Sequence, residues 1–122
     1  MISSIDLVSL YVADQERSRA FYADTLGFTV TTDVPMGPQG RWIEVAPPGG
    51  QTGFILADAA GFGKADRIGN SADVTFKCAD VRELHRDLVA KGVPVTEPET
   101  KEWGSFIKFT DPDGHQFVVS EK

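Results

Sequence analysis

The sequence is poor in the residue types that usually announce chemistry. It has a single cysteine, Cys78, and two histidines, His85 and His115. A lone thiol forms no internal disulfide; this fits a reducing compartment, and the cytoplasm is the expected location. No apolar run approaches the ~20 residues of a membrane span, so no membrane association is expected. The opening MISSIDLVSLYV has neither a basic leader nor a small-residue cleavage site, and no secretory signal is expected. Lysine and arginine total 12 against 18 aspartates and glutamates, and they are scattered. Without a basic stripe, nucleic acid is not an expected partner. The net charge of −6 suits solubility first and, weakly, a cationic ligand. No GxxxxGK[ST] or GxGxxG occurs, so GPQG and GFG read as loop glycines rather than a phosphate cradle.

What is present is a repeat. GRWIEVAPPGGQTGFI and GSFIKFTDPDGHQFVV align at an offset of 64, with Gly40 on Gly104, Trp42 on Phe106, Ile43 on Ile107 and Gly50 on Gly114. Upstream, LVSLYVAD (7–14) aligns with DVTFKCAD (73–80) at an offset of 66. Each half opens on an alternating strand and reaches an aspartate, Asp14 or Asp80, suited to cap a helix. The helices run through RSRAFYADTL and RELHRDLVAK and stop at Gly27 and Gly92. Three strands follow in each half: FTVTTDV, RWIEVAP and TGFILA, then PVTEP, SFIKFTD and QFVVSE. The expected fold is α+β, two βαβββ modules forming a curved eight-stranded mixed sheet in one domain. Module one spans 1–57, a Gly-rich connection 58–71, and module two 72–122.

Alternation divides the strands between two faces. The uniformly apolar set, Val8, Leu10, Val12, Ile43, Val45, Ile55, Val74, Phe76, Ile107, Phe109, Phe117 and Val119, is expected beneath the helices. Cys78 falls with this set and reads as an inert buried thiol. The other face carries Leu7, Ser9, Tyr11, Trp42, Glu44 and Phe54 from the first half. From the second half it carries Asp73, Thr75, Lys77, Phe106, Lys108 and Val118, with Trp103 in the adjoining loop. So many large apolar groups among a few polar ones suit a small-molecule site better than a wet surface. Glu44 with Lys108, and Asp73 with Lys77, are candidate charge pairs, or one of them a general base. Both histidines read as surface residues, on the second helix and in the last turn, and no Ser-His-Asp or Cys-His arrangement can be argued from spacing.

The paired modules, the opening VSLYVADQERSRAFYADTLGF and the closing FTDPDGHQFVV resemble the vicinal oxygen chelate superfamily of glyoxalases, bleomycin-resistance proteins and extradiol dioxygenases. The resemblance covers nearly the whole chain and implies a cupped sheet, usually in a homodimer. It also implies a divalent metal held by His, Glu or Gln from the first and last strand of each module. In this chain those positions fall at Leu7, Phe54, Asp73 and Val118. Three of the four carry no donor atom, so no metal and no other cofactor is expected, and a standard glyoxalase or extradiol dioxygenase is disfavoured. The leading expectation is a small-molecule binding protein resembling the bleomycin-resistance branch, its ligand in the cup. One alternative is a lyase or dioxygenase with an unrecognised metal or with Glu44 or Asp73 as catalyst. The other is an interaction module whose apolar face meets another chain.

Overall fold

The computed structural model describes residues 1–70 and 72–121. The ends of the expected connection at Ser71 and of the second module at Lys122 lie outside the described residues. The chain divides into two compact units, Met1–Ala72 and Asp73–Lys122. It is an α+β protein with one four-stranded mixed sheet in each unit.

The first unit comprises strand β1 (Leu7–Val12), helix α1 (Gln15–Ala20), and strands β2 (Thr29–Pro35), β3 (Arg41–Ala46) and β4 (Gly53–Asp58). The sheet order is β1-β4-β3-β2, with β1 parallel to β4 and the other pairs antiparallel. Asp14 caps α1 as expected, accepting from the backbone N–H of Arg17 at 3.0 Å. The helix is shorter than the apolar pattern suggested. From Phe21 to Thr25 it widens into a π-helical turn, sealed by Leu26 N–H to Phe21 C=O at 3.0 Å. This turn delivers Tyr22, fully buried, against Phe54 (ring centroids 5.7 Å) and Phe28 (5.6 Å). Leu10, Val12, Ile43, Val45, Phe54 and Leu56 are buried with it.

The Gly-rich stretch expected as a mere connection belongs to this unit. A short 3-10 turn, Ala65–Arg67, sets the Arg67 guanidinium 5.5 Å from the Tyr11 ring centroid, a cation–π contact on β1.

The second unit repeats the plan with β5 (Thr75–Cys78), α2 (Val81–Ala90), β6 (Glu99–Lys101), β7 (Gly104–Thr110) and β8 (Gln116–Glu121), in the order β5-β8-β7-β6. Asp80 caps α2, accepting from the N–H groups of Arg82 and Glu83 at 3.0 and 3.1 Å. The expected strand PVTEP is replaced by a looser edge. Val95 makes one isolated bridge with Phe109, and the strand proper begins beyond Pro98, at Glu99. Proline at 94 and 98 removes two ladder donors. Thr96 compensates: its N–H donates to Lys108 C=O at 2.9 Å, and its hydroxyl accepts from Lys108 N–H at 2.9 Å. His115 is also not at the surface. It is 1% exposed and stacked on Phe117 at 6.2 Å, because the turn folds inward around Asp111, whose Oδ1 accepts from the N–H groups of Asp113 and His115.

An ion network ties α1 to the edge of the first sheet. Glu16 accepts from Arg19 and from Arg41 (3.0 Å), and Arg41 also reaches Asp33 at 2.6 Å. Hydrogen bonds first from Arg19 and then from Arg41 hold the Glu16 carboxyl down at about 2. A carboxyl lowered on folding contributes stability above its unfolded pKa and loses it as pH falls through the folded value. The advantage of the wild type over Glu16→Gln is therefore expected to be full above about pH 4.5 and to vanish toward about pH 2. Because these side chains are exposed, the difference is small and shrinks further in high salt. Thermal melts of both proteins across this window check it.

Candidate ligand-binding site

The open face of the first sheet, away from α1, can be read from strand register. Leu7 pairs with Gly53, Ser9 with Ile55 and Tyr11 with Ala57 across β1 and β4, and Glu44 pairs with Ile55 across β3 and β4. These residues and Trp42 share one face. Phe54, expected here, is not among them. It is 4% exposed and packs on Tyr22 beneath the helix, while Ile55, expected beneath the helix, stands on the open face. The cause is a single residue. Ser9 corresponds to Thr75, and their strand partners are Ile55 and Val118, so the offset on the last strand is 63 rather than 64. One extra residue follows the PPGG turn, and a one-residue slip turns every side chain over.

Ser9, Tyr11, Trp42, Ile55, Ala57 and Phe62 line a recess of about 130 Å³. Tyr11, Trp42 and Phe62 supply aromatic walls, Ile55 and Ala57 an aliphatic floor, and Ser9 a hydroxyl. The Trp42 indole N–H donates to Glu44 Oε2 at 2.6 Å, which fixes the ring's orientation and leaves its faces for packing. Arg67 over the Tyr11 ring steadies the second wall. Phe62 and Ala57 were not expected along the recess, nor Arg67 against its Tyr11 wall. Phe62 rides the GFG loop; a large aromatic between two glycines was the available signal. Gly61 lets that loop approach the Gly37–Gln39 turn closely, since a Cβ there would stand 2.9 Å from the Cα and carbonyl oxygen of Gln39.

In the second unit, register puts Thr75, Lys77, Phe106, Lys108, Val118 and Ser120 on the open face. Thr75, Lys77 and Lys108 are exposed and Val118 is half-buried. Phe106 is mostly covered; Trp103 stacks on it at 5.2 Å and 23°, and it is Trp103, 60% exposed, that presents a ring to solvent. Asp73 lies just ahead of β5 and is exposed, and among the described residues no ion pair joins it to Lys77. His85 stands on α2, 3.8 Å from Glu97. Cys78 is half-buried, and desolvation raises its pKa, so the thiol rather than the thiolate is its resting form.

The donor set does not fit a divalent metal. Leu7 and Val118 are hydrocarbon side chains, and the corrected register leaves Ile55 and Ala57, also hydrocarbon, on β4. Asp73 alone offers oxygen atoms at the positions considered, and one carboxylate is too few for a tight site. Among the described residues, no three His, Cys, Asp or Glu side chains come together.

The fold and an aromatic recess on the open face of its sheet define a member of a known class. Residues 4–119 match the model of the Glyoxalase/Bleomycin resistance protein/Dioxygenase superfamily, and the chain belongs to that superfamily. It is 34% identical to the uncharacterized protein YetH of Bacillus subtilis (strain 168), over 99% of this chain and all of the relative. Among solved structures, it resembles TnmS3, an antibiotic binding protein from Streptomyces sp. CB03234. The TM-score is 0.87 at 33% identity, covering 98% of this chain and 96% of that one. A superfamily member from Sphaerobacter thermophilus DSM 20745 aligns with a TM-score of 0.86 at 30% identity, over 100% and 99% of the two chains.

Proposed function

We propose that this protein binds a small planar aromatic molecule without a metal, one ring of it seated between Tyr11, Trp42 and Phe62. The observation that carries this reading is the recess itself, three aromatic side chains converging over an aliphatic floor on the open sheet face. Its size narrows the ligand. An apolar cavity of ~150 Å³ accepts benzene, and drug-sized ligands fill ~300–1,000 Å³. A recess of about 130 Å³ thus encloses one ring and leaves the remainder of a larger molecule along the open face. The likeness to an antibiotic binding protein favours binding over turnover, as does a face whose carboxylate, Glu44, already accepts the Trp42 indole N–H. The protein is proposed to act as a homodimer in the cytoplasm.

The experiment is a thermal-shift screen of EDTA-treated protein against planar polycyclic compounds of neutral, cationic and anionic character. Saturable stabilisation is expected from at least one, since a ligand that binds only the native state raises the melting temperature. Trp42→Ala is expected to weaken that compound about tenfold or more, the scale of one lost aromatic stacking partner. Unchanged affinity would remove Trp42 from the site.

A further inference from the structure

We propose that Gln15 is the positioning residue of the recess: its carboxamide, wedged between β3 and β4, sets where Trp42 and Ala57 stand. The inference rests on the reading of the recess as a ligand site. The register of β3 with β4 comprises Glu44↔Ile55 and Val45↔Phe54. Continued by the same alternation, it would bring Ile43 opposite Leu56 and Trp42 opposite Ala57. At that end the Gln15 side chain intervenes. Its Oε1 accepts from Arg41 N–H at 3.0 Å, and its Nε2 donates to Arg41 C=O at 2.6 Å and to Leu56 C=O at 2.8 Å.

One amide thereby satisfies both backbone groups of a β3 residue and a carbonyl of β4, as a peptide unit of a further strand would. Trp42 directly follows Arg41, and Ala57 directly follows Leu56. Side chains alternate, so a group inserted at Arg41 and Leu56 on the helix face fixes the spacing of their neighbours on the open face. The fit is tight. A Cβ on Gly40 (φ +91°) would stand 2.6 Å from Gln15 Oε1, so that glycine keeps room for the wedge. The chemistry also requires an amide, because a carboxylate at the same place would face two carbonyl oxygens with nothing to donate.

Trp42 reports on the wedge without any ligand, which separates this test from the ligand-binding reading. In a Trp103→Phe background Trp42 is the sole tryptophan. Q15A, Q15M (nearly isosteric) and Q15E are compared with their parent at a temperature where far-UV circular dichroism shows them folded. The expected result is a red-shifted Trp42 emission and an acrylamide quenching constant about twice the parent's, as the wall opens locally to solvent. For Q15E the emission is expected to return toward the parent's as pH is lowered from about 7 to about 5, where the protonated acid regains one donor. A role confined to stability would lower the melting temperature and leave Trp42 in the folded variants unchanged. Parent-like emission and quenching in whichever variants fold would overturn the proposal. So would unfolding of all three, because Gln15 would then hold the fold rather than shape the recess.

Discussion

Phe54→Ala is expected to cost about 3–5 kcal/mol of stability while leaving ligand affinity intact at temperatures where the variant is folded. Phe54 is 4% exposed and meets Tyr22 edge-on, with ring centroids 5.7 Å apart and planes at 76°. Truncation removes most of a buried aromatic side chain and leaves a cavity beside a second ring that cannot collapse far, because Tyr22 is held from its other side by Phe21 and Phe28. Ile55→Asp next door is expected to show the reverse. It is half-buried on the open face, so the fold tolerates the change better, and a charge on the recess floor expels an aromatic ring. Chemical denaturation and a binding titration of the two variants separate the faces. If Phe54→Ala lost affinity and kept its stability, the strand would be facing the other way.

Phe117→Ala is expected to be as damaging in the second unit, again by about 3–5 kcal/mol. Phe117 is 1% exposed and sits at the centre of a ring cluster, 5.5 Å from Phe76, 5.6 Å from Phe109 and 6.2 Å from His115. Its loss also uncovers the imidazole of His115, now 1% exposed, to water. Urea denaturation is expected to show a lower midpoint in Phe117→Ala, and Phe117→Leu is expected to recover a large part of the loss by refilling volume. A variant as stable as the wild type would mean that the cluster is not the core of this unit.

The architecture was legible because its signals are redundant. Two capping aspartates, two stopping glycines and a repeated hairpin each point to βαβββ, and the comparison with known proteins agrees. The site was less legible, because facing depends on a parity that one residue reverses. Gly50 aligned with Gly114 correctly at the turn, but the extra residue before β4 exchanged Phe54 with Ile55. Tyr11, Trp42 and Ser9, read from strands without such an insertion, line the recess. Phe62 and Arg67 were hidden in a glycine-rich stretch, where no period assigns a face to a side chain. Gln15 was invisible for another reason: nothing local marks a glutamine as the partner of backbone groups 26 and 41 residues away.

The most direct test of a metal-free aromatic site is a ¹H–¹⁵N NMR titration of EDTA-treated protein with the most stabilising compound of the screen, following the two indole N–H signals. Trp42 donates to Glu44 from the recess wall, so its signal is expected to move saturably, with the same affinity that the thermal shift reports. A Trp42 signal that stays still while the protein is stabilised, or that moves only after a divalent metal is restored, would contradict the account.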